Sequence, residues 1–249
     1  MTLDVFFREN PAVALAFSGG TDSSYLLYAA RQAGARVRAY YVRTCFQPAF
    51  ELRDAQRLAA ELGAELAVLE LDVLADETVR QNPPDRCYRC KRRLFTRLLE
   101  QARADDFPVL MDGTNASDDA DDRPGMRALR ELGVRSPLRE CGITKSEVRR
   151  LSRQAGLFTA DKPAYACLAT RIPTGTEITP ERLAATERAE DALFSLGFTD
   201  FRVRWFHGAA RVQLRAEQLP LWREKRREIV QALTQDYAAV LLDMVTRNE

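Results

Sequence analysis

The stretch NPPDRCYRCK, positions 82–91, sets Cys87 and Cys90 three positions apart. That spacing suits a redox disulfide, a metal site or a catalytic thiol, and the ten residues alone do not choose among them. The chain has five cysteines, an odd number, in 249 residues. A chain of that length needs no staples, and thiols in a reducing compartment favour metal or catalytic roles over disulfides. A third thiol, Cys167, lies in YACLATR. A structural zinc site wants four ligands, yet the chain offers one histidine, His207, and neither Cys45 nor Cys141 has a CxxC partner. Three cysteinates, by contrast, hold a 4Fe-4S cluster with one iron open, which can carry an extra sulfide or bind a substrate atom. A Cys87–Cys90 disulfide and inert buried thiols are the competing readings. The second constellation is FSGGTDSS, positions 17–24, between an apolar run and a helical pattern. Backbone N–H groups there can converge on an anion at the positive end of a helix, and Gly19 and Gly20 permit close approach. Neither G-x-x-x-x-G-K-[ST] nor G-x-G-x-x-G occurs in the chain. A third stretch, MDGTNASD, ends another apolar run, so Asp112, Gly113, Thr114 and Asn115 reach toward the same ligand or form a plain strand-ending turn.

These groups need a scaffold, and the hydrophobic pattern supplies one. Short apolar runs at Val13–Phe17, Val37–Val42, Leu66–Leu71 and Pro108–Gly113 read as strands. Helical patterns fall between them, at SYLLYAARQAG ending on Gly34, around Ala49–Glu61, and from Lys91 to Ala104, with the two cysteines just ahead of that last helix. Strands alternating with helices predict an α/β fold with a parallel sheet covered on both faces. Ligands of such sheets collect beyond the carboxyl ends of the strands. TKSE opens a further helix at Thr144 as a capping box, to about Gly156. After CLATRIPTGTEITPER the pattern changes. Thr179 and Pro180 start a helix to about Leu196, FRVRWFHGAARVQLR alternates across a His207-Gly208 turn as a hairpin, and a charged helix and the apolar strand YAAVLLDMV follow. We therefore expect residues 1–172 as the parallel-sheet domain and 173–249 as a smaller α+β domain.

Composition narrows the partners. Lys and Arg number 37 against 36 Asp and Glu, a net charge of +1, so no global field draws the chain to nucleic acid or an anionic membrane. No apolar run approaches the roughly 18 residues a membrane helix needs, and MTLDVFFRENPAV lacks a basic-then-apolar leader pattern. The expectation is a cytoplasmic protein with no nucleic-acid and no membrane partner.

SGGTDS (Ser18, Gly19, Gly20, Thr21, Asp22, Ser23) resembles the PP-loop of the ATP pyrophosphatase superfamily, S-G-G-x-D-S. The resemblance implies that this loop, with Ser24 beside it, grips pyrophosphate, that Asp22 helps to hold Mg²⁺ on the phosphates, and that a substrate oxygen is adenylated by ATP. SGGTDSS, NPPDRCYRCK, DGTNASDDADDRPGMRALRELGVRSPL and ACLATRIPTG, in that order, resemble the LarE type of PP-loop sulfur transferase, a likeness that runs into the RVRWFHGAARV hairpin. It implies adenylation of a pyridinium dicarboxylate mononucleotide and conversion of its carboxylates to thiocarboxylates, on the way to the nickel-pincer nucleotide of lactate racemase. In one branch of the family the cysteine matching Cys167 gives up its own sulfur and becomes dehydroalanine. In the other, cysteines matching Cys87, Cys90 and Cys167 hold an iron-sulfur cluster that passes on sulfide from a donor. All three are present, which favours the cluster. Gly113 and Thr114 are expected at the nucleotide, Arg123, Arg171, Arg202 and Arg204 at substrate phosphate or carboxylate, and the family suggests a homo-oligomer. Gln213 stands where relatives carry an acidic residue, and LLDMVTRNE departs from the usual ending. A tRNA-thiolating PP-loop enzyme would share the adenylation but needs a broad basic face, an ammonia-using synthetase would need no cysteine triad, and a non-enzymatic ATP binder would release no pyrophosphate.

Overall fold

A computed structural model of the chain describes residues 1–118 and 124–247. The elements run α1 (Leu3–Glu9), β1 (Ala12–Ala16), α2 (Thr21–Gln32), β2 (Arg36–Arg43), α3 (Ala49–Glu61), β3 (Glu65–Glu70), α4 (Glu77–Arg80), α5 (Arg86–Ala104), β4 (Val109–Met111), α6 (Pro124–Glu131), α7 (Pro137–Glu140), α8 (Lys145–Gln154), α9 (Pro180–Ser195), β5 (Arg202–Phe206), β6 (Ala209–Gln213), α10 (Leu219–Glu224), α11 (Arg226–Leu233) and β7 (Val240–Leu242). They divide into two compact units, residues 1–73 with 85–162, and residues 74–84 with 163–249.

The first unit is the α/β domain the alternation predicts. Its four strands are all parallel and lie in the order β3-β2-β1-β4. Side chains alternate across such a sheet. Val13, Leu15, Val37, Ala39 and Tyr41 pack on one face with Leu26, Leu27, Leu138 and Val148, while Ala14 and Tyr40 pack on the other with Phe95, Leu98, Leu110 and Leu129. Burial on both faces explains why these strands read as near-continuous apolar runs. Strand order reverses between β1 and β4, so the carboxyl ends of those two strands flank a crevice where ligands of open parallel sheets bind.

The second unit is α+β. β5 and β6 form an antiparallel hairpin through His207 and Gly208, both at positive φ (49° and 84°), and β7 adds in parallel to β6. Positive φ at both turn residues matches the twist of the flanking strands. Thr179 caps α9 through the Arg182 amide with Pro180 in the first turn, as its sequence signals. The boundary differs from residues 172/173. The first unit closes at Lys162, and Leu74–Pro84 belongs to the second. The reason is hydrogen bonding: Asn82 Nδ2 donates to the carbonyls of Ile172 and Pro173, and the carbonyls of Asn82 and Arg80 accept from the amides of Gly175 and Ile178. A second difference concerns the cysteines, which sit inside α5 rather than ahead of it, because the helix begins at Arg86.

Candidate active site

β1 hands over to α2 through Phe17–Gly20, and the turn is held by its own side chains. Ser18 Oγ and Ser23 Oγ lie 3.1 Å apart, Ser23 Oγ donates to the Gly20 carbonyl at 3.2 Å, and Thr21 Oγ1 donates to the Thr159 carbonyl at 2.8 Å. Gly19 has φ +68°, and a Cβ there would stand 3.1 Å from the Ala55 backbone nitrogen, so both conformation and space ask for glycine. Gly20 is the N-cap and offers no capping side chain. The first amides of α2 are thus left for an anion, at the positive end of the helix dipole. Asp22, in the first turn, places Oδ2 2.5 Å from Lys145 Nζ, while its buried Oδ1 has no hydrogen-bond partner. Burial raises the Asp22 pKa above the usual carboxylate value, against the pull of Lys145. Lys162 Nζ reaches the same loop, 2.6 Å from Asp54 Oδ2 and 3.4 Å from the Gly19 carbonyl.

The loop after β4 stands opposite. Asp112 is buried and accepts from Thr114 Oγ1 at 2.5 Å and Ser136 Oγ at 2.7 Å, which fixes Gly113 against α2. A Cβ on Gly113 would lie 2.8 Å from the Ser23 backbone nitrogen. The two loops and α5 open onto one cleft of about 490 Å³, lined by Ser18, Gly20, Asp22, Ser23, Gly113, Thr114 and Asp118 and by Cys87, Lys91 and Phe95. The last three recur at i, i+4 and i+8, one stripe of a helix. A Cβ on Gly125 of α6 would meet the Lys91 stem at 2.7 Å, so the lysine lies flat on that glycine. Cys87 is exposed and Cys90, one turn on, is buried. Ser24 is fully buried beneath the loop and does not line the cleft. None of the five cysteines is in a disulfide.

In the second unit Arg171 is wholly buried and spent on protein acceptors. It pairs with Glu190 through Nε (2.9 Å) and Nη2 (3.0 Å), and Nη1 donates to the Ala166 carbonyl (2.7 Å) and Thr170 Oγ1 (2.9 Å). Glu190 also accepts from the Tyr165 hydroxyl and, at 3.0 Å, from the Val203 amide. Arg171 therefore shapes the loop that carries Cys167, in place of the substrate contact expected of it. Arg202 is buried and donates to the carbonyls of Phe201 and Ala164, and Arg204 donates to the Thr170 carbonyl. Among the described residues neither pairs with a carboxylate. Burial, reinforced by Arg171 and Arg247, lowers Arg202 to about 10, and burial also lowers Arg204, with Arg171 adding to it. An anion beside them would offset the cost of burying two guanidinium groups. Arg123 lies outside the described residues, as do Asp119, Asp121 and Asp122.

No protein-family model matches the chain. Individual proteins do. The chain is 39% identical over 218 residues, 86% of its length and 80% of the other, to an uncharacterized protein of Synechocystis sp.. It is 35% identical over 215 residues, 86% of its length and 78% of the other, to pyridinium-3,5-bisthiocarboxylic acid mononucleotide synthase of Lactiplantibacillus plantarum. The chain belongs to the LarE family of PP-loop proteins. It is an ATP-dependent sulfur transferase. More distant likeness, 25% over 193 residues covering 60% of the chain and 54% of the other, links this LarE-family member to a tRNA-specific 2-thiouridylase of Thermotoga sp..

Two lysines of the LarE cleft escape a reading of the sequence. Lys145 and Lys162 come from segments more than a hundred residues beyond the loop they touch. The only local trace is for Lys145, which follows the Thr144 cap: Thr144 Oγ1 accepts from the Glu147 amide as the capping box predicts, and that fixes where α8 starts. The donors on the cleft and on α5 are of two chemical kinds. The unpartnered Asp22 Oδ1, with Asp118 on the same cleft, suits a hard divalent cation that prefers carboxylate oxygens. Cys87 and Cys90 one helical turn apart are soft donors suited to two iron ligands, and Cys167, the third, stands in the other unit. Among the described residues no three His, Cys, Asp or Glu side chains are gathered to hold a metal ion. No helix there is long and apolar enough to cross a membrane.

Proposed function

We propose that this chain uses ATP to adenylate the carboxylates of a pyridinium-3,5-biscarboxylic acid mononucleotide and converts them to thiocarboxylates, in the cytoplasm and as a step toward a nickel-pincer nucleotide. The observation that carries the reading is the single cleft onto which the PP-loop, the Asp112–Asn115 loop and the Cys87 thiol all open. It is supported by the relative from Lactiplantibacillus plantarum, whose name states the bisthiocarboxylic acid mononucleotide as its product.

The chemistry assigns work to each side of the cleft. The amides of Thr21, Asp22 and Ser23, with the Ser18 and Ser23 hydroxyls, take the phosphate oxygens of ATP at the start of α2. Asp22 is the carboxylate for Mg²⁺, which would neutralise developing charge on the phosphates. A substrate carboxylate oxygen attacks the α-phosphorus, pyrophosphate leaves, and the acyl-adenylate forms. A sulfur nucleophile then attacks the acyl carbon and AMP leaves, with the C–S bond replacing the C–O bond. Lys91 can stabilise the oxyanion of that attack, and Gly113 and Thr114 border the nucleotide. Arg202 and Arg204 are the groups of the second unit we assign to a substrate phosphate, with Arg123 as a further candidate. Cys87, Cys90 and Cys167 would hold a 4Fe-4S cluster, whose chemistry when bound is to carry sulfide from a donor.

The experiment is pyrophosphate release from ATP with and without the dicarboxylate nucleotide, with mass spectrometry of the organic product. Substrate-dependent release together with a sulfur-for-oxygen mass change is the expected result. Release without any such product removes the sulfur reading, and loss of one H₂S mass from the Cys167 peptide after turnover would assign the sulfur to that residue instead of a cluster. Thiolation of transfer RNA rather than of the nucleotide would move the chain to the thiouridylase reading.

A further inference from the structure

Lys145 Nζ occupies one oxygen of Asp22, and the other oxygen is buried without a partner. This lysine is not loosely placed. It opens α8, its amide donates to Ser117 Oγ at 3.0 Å, and the preceding Thr144 caps the helix. Val148 of the same helix packs in the core with Leu26 and Leu27 of α2, which holds the two helices against each other. The ammonium is nevertheless a third exposed and sits at the end of a flexible stem, so it can exchange partners without moving its backbone. A divalent cation on Asp22 would share one carboxylate with this ammonium, and like charges a few ångströms apart repel. Asp118 and Arg149 are the other charged groups that act on Asp22, one of each sign.

We propose that Lys145 is a built-in counter-ion that keeps a divalent cation off Asp22 until a triphosphate arrives and offers the lysine a new partner. The inference rests on the ATP reading above. It makes metal and nucleotide binding mutually dependent, since each then favours the other by the same factor. An enzyme built this way does not hold the metal alone and does not leave Asp22 as an unpaired carboxylate at the bottom of an empty cleft.

The test follows Mn²⁺ binding by electron paramagnetic resonance at pH 8, with and without α,β-methylene-ATP, which cannot be cleaved at the scissile bond. Wild-type protein is expected to bind Mn²⁺ weakly alone and roughly tenfold or more tightly with the nucleotide, a coupling within the usual range. Lys145→Met should bind Mn²⁺ alone about tenfold more tightly than wild type and lose most of the coupling. Lys145→Arg keeps the charge and should behave as wild type, which also guards against a folding defect in the methionine variant. Unchanged or weaker Mn²⁺ binding by Lys145→Met, or an arginine variant that behaves like the methionine one, overturns the inference while the ATP reading stands. Equilibrium dialysis separates the two: wild-type protein that retains no nucleotide in the presence of Mn²⁺ brings down both.

Discussion

Gly113→Ala is the substitution that probes most directly whether the two loops form one machine. The added Cβ would stand 2.8 Å from the Ser23 backbone nitrogen, 3.2 Å from its Cα and 3.3 Å from the Asp22 carbonyl carbon. Ordinary contact begins near 3.4 Å, so α2 and the Asp112–Asn115 loop must part by about 0.6 Å. All three atoms are backbone and none can rotate away. One side is anchored by the Thr21 hydroxyl on Thr159, the other by Asp112 on Ser136 and Thr114. Overpacking of this kind costs about 1–3 kcal/mol, offset by about 0.4–1 kcal/mol because alanine restricts the unfolded chain. The larger effect is on positioning, since the Ser23 amide belongs to the turn we propose for the phosphates. Displacements approaching 1 Å lower rates by up to about 10²-fold, so we expect kcat/KM for ATP in pyrophosphate release to fall about ten- to a hundredfold. Gly142→Ala is the control. It has open space but φ +70°, so it should lose about 1–2 kcal/mol to backbone strain and keep its activity. Urea unfolding and the coupled pyrophosphate assay read both effects. A Gly113→Ala protein with wild-type kcat/KM would refute the proposed role of the contact.

Three further predictions concern individual side chains. Glu190→Ala leaves the wholly buried Arg171 without its partner and should destabilise the protein by about 3–5 kcal/mol in urea unfolding; a loss under 1 kcal/mol would mean the pair is not closed in solution. Asp22→Asn should abolish substrate-dependent pyrophosphate release yet stabilise the ligand-free protein at neutral pH. Burial raises the Asp22 pKa, so the folded state binds more protons than the unfolded one, and its contribution to stability declines as pH rises from about 3.8 through the raised value. In wild type this decline should be seen by chemical denaturation and in the variant it should be absent; an unaltered slope would oppose it. Cys87→Ser and Cys90→Ser, purified anaerobically, should each lose iron and acid-labile sulfide relative to wild type, and equal iron in all three proteins would remove the cluster from these residues.

Much of the first unit was legible because β1 and β2, buried on both faces, are written as apolar runs, while β3, a part-exposed edge strand, shows through its alternation with the helices. Val37–Val42 and Leu66–Leu71 differ from β2 and β3 by a residue or so at each end. What stayed illegible is what local pattern does not encode. Pro83 and Pro84 and a string of polar residues hide the start of α5, so the pattern places the helix opening at Lys91 and its cysteines outside it, whereas the helix begins at Arg86. Leu74–Pro84 carries no sign that it belongs with residues 163–249, because its allegiance is decided by Asn82 side-chain and backbone hydrogen bonds to a partner some ninety residues away.

The site divides along the same line. The glycines of the PP-loop were legible from their motif, and at Gly19 a φ of +68° and the nearby Ala55 backbone supply the reason, whereas Lys145 and Lys162 reach the loop only through tertiary folding. Arg171 shows the reverse error. Its place after Cys167 invited a substrate role, but the buried carboxylate that claims it, Glu190, is set nineteen residues on in α9. A guanidinium with its N–H groups spent on Glu190, Ala166 and Thr170 cannot also read a ligand without leaving a buried acid unpaired, which costs more than one new contact returns. Arg202 and Arg204, which donate to backbone carbonyls and to no carboxylate among the described residues, are therefore the arginines of the second unit that we propose for a substrate phosphate. Burial first, and the neighbouring Arg171 and Arg247 second, lower both pKa values, and a phosphate beside them would offset both effects.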